Sequence, residues 1–302
     1  MKTSKIVWII VIILVAVGGY FLIQSFSGNK NVPQNQGTTT NASQLNTPAD
    51  NAQIDKSKTI IGKSVEGRDI TAYHYGTGAT ELLFVGGIHG GYSWNTALVA
   101  YELMDYLKAN PSAIPANVKV TVIPVLNPDG LNKVVGSPGR FAVADVSPSQ
   151  DTQISGRFNA NTIDLNRNFD CDWQSSATWQ NETVSGGSKV FSEPESQAVK
   201  AYVEAHKPSA VVVWYSSAGG VFSSSCHNGV LAETKILTNT YAKASGYPGY
   251  ESFDFYEITG DMVNWFAKNN IPAISVLLTT HEDTEWTKNR AGIEALLKYY
   301  AK

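Results

Sequence analysis

The chain has 302 residues, of which 43% are hydrophobic and 16% charged, with a formal net charge of -3. Those proportions describe a folded globular protein, not a disordered or fibrous one. Mild acidity without a basic stripe excludes a dedicated nucleic-acid binder.

Residues 6–23 form an uncharged apolar run of eighteen residues, close to the ~20 that a helix needs to cross a hydrocarbon core. Lys2 and Lys5 precede it, so residues 1–5 are expected as a cytoplasmic tip and everything after Ile23 as extracytoplasmic. This predicts a single-pass signal anchor. A cleaved signal peptide is the competing reading, but its apolar region is normally shorter, and Gln24-Ser25-Phe26-Ser27-Gly28 is a poor cleavage site. Residues 24–56 are rich in Asn, Gln, Thr, Ser and Pro and nearly free of large apolar side chains, which predicts a flexible tether. Residues 57–302 are then one domain, without an internal repeat or second linker.

Within that domain, Glu81–Val85, Val118–Val125, Ala210–Trp214 and Ala273–Leu278 read as strands. Helical spacing falls between them, over Thr96–Lys108, Glu193–His206, Ala232–Ser245, Gly260–Asn269 and Gly292–Tyr300. The alternation predicts an α/β fold: a mixed, mainly parallel sheet with helices on both faces and any site at the carboxyl ends of the strands. His89, Asn127, Tyr215 and the loop after Leu278 fall at such ends.

The two cysteines, Cys171 and Cys226, both lie in the part expected outside. A disulfide, two buried thiols or metal ligands are each compatible with the sequence, although no Cys-x-x-Cys favours the last.

Three motifs carry chemistry: Gly86-Gly87-Ile88-His89-Gly90, Asn127-Pro128-Asp129-Gly130, and Asp164-Leu165-Asn166-Arg167-Asn168-Phe169. Their order and spacing resemble the zinc metallocarboxypeptidases of the carboxypeptidase A type, over nearly all of the chain after about residue 57. The resemblance implies zinc held by a His, a Glu three residues later and a second His, with a catalytic Glu on another strand. His89 matches the first ligand. Tyr92 stands at the second position, Tyr215 at the third and Leu277 at the general base. Phenols ionise far above neutrality, and leucine cannot take a proton. A rebuilt site from His89, His227 and His281 is the alternative, three imidazoles being a known catalytic set. His74 and His206 sit in contexts that packing or capping explains.

The same resemblance implies a carboxylate clamp: Arg157 polarising a carbonyl, Asn166 and Arg167 holding a free C-terminal carboxylate, and Tyr256 as a mobile partner. Guanidinium suits this because its planar fork donates two parallel hydrogen bonds. Matching Tyr256 and Trp265 places Val263 in the side-chain pocket and implies an apolar or small terminal residue. Gly62-Lys63-Ser64-Val65-Glu66-Gly67-Arg68 also matches, as packing and turn chemistry. A serine hydrolase using Ser216 or Ser217 lacks the Gly-x-Ser-x-Gly elbow. The chain is thus expected to be a membrane-anchored domain recognising free C-termini of peptides or cell-wall stem peptides, with zinc-dependent hydrolysis impaired or lost. The alternative is an active zinc carboxypeptidase with a rebuilt metal site.

Overall fold

The computed structural model describes residues 57–301. The expected tip at 1–5, membrane helix at 6–23 and tether at 24–56 lie outside them. Among the described residues no helix is long and apolar enough to cross a membrane.

In chain order the elements are β1 (Lys58–Lys63), β2 (Asp69–Tyr75), β3 (Thr80–Val85), α1 (Trp94–Ala109), β4 (Val118–Ile123), α2 (Pro128–Val135), α3 (Gln150–Ser155), β5 (Ser176–Trp179) and β6 (Glu182–Ser185). There follow α4 (Pro194–His206), β7 (Ala210–Ser216), β8 (Gly220–Ser223), α5 (Ala232–Ser245), β9 (Gly249–Tyr250), α6 (Met262–Lys268), β10 (Ala273–Leu278) and α7 (Trp286–Tyr300). Eight strands form one sheet in the order β1-β2-β4-β3-β7-β10-β8-β9. The central quartet β4-β3-β7-β10 is parallel throughout, and antiparallel pairings flank it on both sides. The sheet is therefore mixed around a parallel centre.

The quartet is buried on both faces, which is why its strands are continuous apolar runs. Side chains alternate between the faces. Phe84, Val122, Val212, Trp214 and Val276 pack with Leu103, Leu237 and Leu296 of α1, α5 and α7. Leu83, Val85, Val211, Val213 and Tyr215 pack with Val199 of α4 and Phe266 of α6. Each such side chain contributes roughly 1.5–3 kcal/mol relative to exposure.

Element ends differ from expectation for local reasons. β4 stops at Ile123, not Val125, because Pro124 has no N–H for the ladder. The helix expected from Gly260 starts at Met262, since Asp261 caps it by accepting from the Asn264 N–H at 2.9 Å. α7 begins at Trp286, six residues before the expected Gly292.

Cys171 and Cys226 form a disulfide with a Cα–Cα distance of 6.2 Å, deciding among the three readings left open by the sequence. The bridge ties the segment after the Asp164–Phe169 run to the loop after β8. It closes a loop across a separation of 55 residues, worth about 4 kcal/mol by loop entropy. Replacing both cysteines with Ser should lower the unfolding free energy by roughly 2–4 kcal/mol in denaturant titrations. Coincident curves for the two proteins would mean that the bridge contributes nothing.

Candidate functional site

β3 leads through α1 to β4 on one side, and the chain later returns to lay β7 on the other side of β3. The loops leaving β3 and β7 therefore diverge, which opens a crevice at the carboxyl ends of the parallel strands. A cleft of about 910 Å³ lies there. His89 follows β3, Tyr215 lies near the end of β7 and Leu277 near that of β10, and all three line it.

Close backbone packing sets His89 in place. Gly90 has φ +45°, and a Cβ there would lie 2.6 Å from the Gly156 carbonyl oxygen and 2.9 Å from Gly130. Asn127 caps α2 by accepting from Gly130 N–H at 2.9 Å, and its amide donates to the Arg157 carbonyl at 3.3 Å. Two of the motifs thus meet at one point. The Ser64–Arg68 turn is fixed elsewhere, Ser64 Oγ donating to Asp129 Oδ1 at 2.6 Å and Arg68 at 2.7 Å. His74 bonds Thr59 and Thr121, and His206 stacks on Tyr202. Both are packing histidines.

The His89 imidazole is buried, and among the described residues neither ring nitrogen has a hydrogen-bond partner. Its Nε2 lies 3.6 Å from Asp164 Oδ1. Burial, reinforced by the Arg157 charge, lowers the His89 pKa to about 4 although Asp164 opposes this. Asp164, fully buried, accepts from Arg157 Nε at 3.0 Å and Nη2 at 2.8 Å. Burial alone would raise its pKa, but the Arg157 charge, with help from His89, holds the carboxyl well below its usual range.

The orphaned His89 nitrogens suit a metal, but the rest of the donor set does not. Tyr215 donates its hydroxyl to Asn166 Oδ1 at 3.1 Å, and burial pushes its phenol far above the usual range. Tyr92 accepts from Gln180 Nε2 at 3.0 Å. Leu277 pairs in register with Tyr215, so the positions expected for the base and for a ligand stand side by side. A zinc site needs three protein ligands, and one imidazole does not make one.

Nor does the structure assemble the alternative set. His227 is exposed and pairs with Asp172 at 3.0 Å, beside the disulfide and away from the cleft lining. Among the described residues, the one group of three or more potential ligand residues with mutually close donor atoms is Cys171, Asp172, Cys226 and His227, whose thiols are consumed in the bridge. His281 does reach the cleft, its ring 4.5 Å from that of Tyr92.

The residues expected to form the clamp do come together. Arg157 lines the cleft and stacks 4.4 Å over Trp179. Two of its five N–H groups go to Asp164, leaving three. Asn166 donates to Asp261 Oδ2 at 2.8 Å and accepts from Tyr215. Arg167 is 2% exposed and lies just behind the cleft wall. It donates only to the Thr259 carbonyl at 3.5 Å and the Thr178 carbonyl at 3.3 Å, and no carboxylate lies within ion-pair distance among the described residues. Gly260 permits this approach: at φ +64°, a Cβ there would sit 2.2 Å from the Arg167 carbonyl oxygen. Tyr256, half exposed, covers the Arg167 guanidinium at 5.7 Å. Val263 lines the cleft as expected, but so does buried Asp261, whose carboxyl burial raises above its ordinary value. Asp261, Trp179 and the partnership of Asp164 with Arg157 were not assigned from sequence. Only the helix-cap position of Asp261, ahead of Met262, carried a local signal.

A profile described as zinc carboxypeptidase matches residues 49–294. The gamma-D-glutamyl-L-diamino acid endopeptidase 1 of Lysinibacillus sphaericus is 25% identical over 230 residues, covering 70% of this chain and 57% of that protein. Carboxypeptidase Z of Gallus gallus is 29% identical over 187 residues, covering 58% of this chain and 27% of that protein. The chain thus spans less than two thirds of these relatives. Among solved structures, the murein-tripeptide amidase of Escherichia coli aligns with TM-score 0.55 at 18% identity, covering 82% of this chain and 93% of that one. Bovine thrombin-activatable fibrinolysis inhibitor aligns with TM-score 0.62 at 16% identity, covering 81% and 88%. At such identities the likeness is one of fold.

A neutral buried His89 imposes a pH dependence. Between an unfolded pKa of ~6.5 and the folded value of about 4, the unfolded chain takes up a proton that the folded one refuses, so stability falls as pH falls through this window. In chelator-treated protein, lowering pH from 7 to 5 should cost wild type about 2 kcal/mol more than His89→Gln. Parallel stability curves for the two would place the His89 pKa near its ordinary value.

Proposed function

Because the chain belongs to the zinc carboxypeptidase family, we propose that its domain recognises the free C-terminal carboxylate of peptides, cell-wall stem peptides among them, without zinc-dependent hydrolysis. The observation that carries this reading is Arg167: a buried guanidinium with two long carbonyl contacts and no carboxylate partner. A buried charge is costly unless paired, so an incoming carboxylate gains a strong interaction there. Tyr256 covers the guanidinium through its ring face alone. Its displacement would admit the ligand, with Arg157 offering its remaining N–H groups in the same cleft. Asn166, held between Tyr215 and Asp261, fixes the floor. Val263 supports an apolar or small terminal side chain, and Asp261 adds a polar point beside it.

Loss of hydrolysis is supported by the donor set around His89. Without the metal, water activation is gone. Removing a general base costs a further ~10²–10⁴ in rate. The relative named as a gamma-D-glutamyl-L-diamino acid endopeptidase supports a peptide with that linkage as the ligand class.

We read residues 6–23 as the anchor that displays this domain outside the membrane, and the disulfide fits such an oxidising compartment. The full chain should sediment with membranes after an alkaline wash, and a chain starting at residue 52 should not. Recovery of both in the soluble fraction would remove the anchor.

In titration calorimetry, Arg167→Ala should weaken binding of peptides with a free C-terminus by roughly 30-fold or more, about 2 kcal/mol, and C-terminal amidation should have a similar effect. Equal affinity for acid and amide would defeat the reading. In the same preparations, one zinc retained per chain after dialysis and lost in His89→Ala would instead favour an active metallopeptidase.

A further inference from the structure

We propose that Ser216 and His281 form a metal-free nucleophile–base pair in the cleft, set to accept the acyl group of a peptide that ends in a free carboxylate. Ser216 is the last residue of β7, and His281 follows β10 by three positions. The parallel register sets Ser216 opposite Leu278, so the two strand exits are neighbours. Ser216 Oγ lies 3.1 Å from His281 Nδ1, within the reach that a nucleophile and its base require.

Two further contacts fix this pair. Asn95 of α1 donates its amide N–H groups to the Thr280 carbonyl at 2.8 Å and the Asp283 carbonyl at 3.0 Å. Those bonds staple the loop carrying His281 to α1 and turn the Asn95 amide oxygen to Ser216 Oγ, whose hydroxyl donates to it at 3.1 Å. On the other side, the Tyr92 ring packs on the imidazole, with ring centroids 4.5 Å apart. With the ring proton on Nε2, Nδ1 accepts from Ser216 when the hydroxyl turns its single proton from Asn95 to the ring. Burial, then the Arg157 charge, lowers the His281 pKa and keeps the imidazole in its basic form at neutral pH. Both side chains are only partly buried and line the same cleft as Arg157. No nucleophile elbow is needed, because such pairs are defined by geometry and roles and not by sequence position.

The step balances without a cofactor. Ser216 Oγ bonds to the carbonyl carbon while its proton passes to His281 Nδ1. The carbon–nitrogen bond breaks, and the amine leaves with that proton. Water then gives a proton to Nδ1 and attacks the ester, releasing the acid and returning the proton to Ser216. Arg157, which lines the same cleft, supplies a cation for the oxygen that becomes negative in both halves. The substrate class rests on the carboxylate reading above; the nucleophile does not.

The test uses the full chain and an alkyl fluorophosphonate, whose phosphorus a serine Oγ attacks with loss of fluoride. Peptide mass spectrometry should find one phosphonyl group on Ser216. Ser216→Ala should abolish it, and His281→Phe, which keeps a ring in place, should slow its formation by on the order of 10²-fold or more. No adduct on wild type, an adduct elsewhere, or an unchanged rate in His281→Phe would overturn the proposal. A peptide with a free C-terminus should slow labelling. Labelling indifferent to that peptide but dependent on His281 would uphold the pair and count against the carboxylate reading.

Discussion

The buried pair Arg157–Asp164 is the interaction on which this site depends. Both side chains are almost wholly removed from water, and Arg157 gives two N–H groups to a single Asp164 oxygen. Removing one partner of such a pair costs about 3–5 kcal/mol, because the other charge is left buried and unpaired. The same carboxylate reaches towards His89 through its second oxygen and caps the turn that presents Asn166 and Arg167. One ion pair thus sets the position of the histidine, the orientation of Arg157 and the start of the clamp. It also explains why the two arginines differ: among the described residues Arg157 has a carboxylate in direct contact, whereas Arg167 feels Asp164 and Asp261 only at a distance.

The parallel quartet was legible because strands buried on both faces must be unbroken apolar runs, as Leu82-Leu83-Phe84-Val85 and Val211-Val212-Val213-Trp214 are. β8, β9 and the β5–β6 hairpin left no such trace. They are four residues long or shorter, and the hairpin is largely exposed and polar. Long-range pairing was illegible for a different reason. Nothing local in Cys171 or Cys226 specifies the other, and nothing in Ser216 specifies a histidine 65 positions away. Those partnerships arise only when β7, β8 and β10 are laid side by side. Motif matching named Arg157, Asn166, Arg167 and Tyr256 as one group, and the fold brings them together, but their contacts with Asp164 and Asp261 needed the fold.

The residues at the expected metal positions are replacements, not gaps. Tyr215 fills its position with a phenol bonded to Asn166, and Leu277 lies against it in register on the next strand. A buried ligand left alone would be an unsatisfied polar group costing roughly 1–3 kcal/mol. Tyr215 avoids that cost by spending its hydroxyl on the clamp, and Leu277 by having none. His89 is the exception. Its two bare nitrogens are tolerated because burial and Arg157 keep the ring neutral, while Asp164 stands close enough to interact.

The replacements also redistribute what the cleft can do. Burial first, and then the Arg157 charge, depresses the pKa of His89 and of His281, so both imidazoles are held in the form that accepts protons. His89 has no hydroxyl within hydrogen-bond reach, whereas His281 has Ser216 at 3.1 Å and is braced by Asn95 and Tyr92. A base is useful only with an acidic proton beside it and a place for the resulting charge. In this cleft those conditions meet at His281, at the exits of β7 and β10, and not at His89.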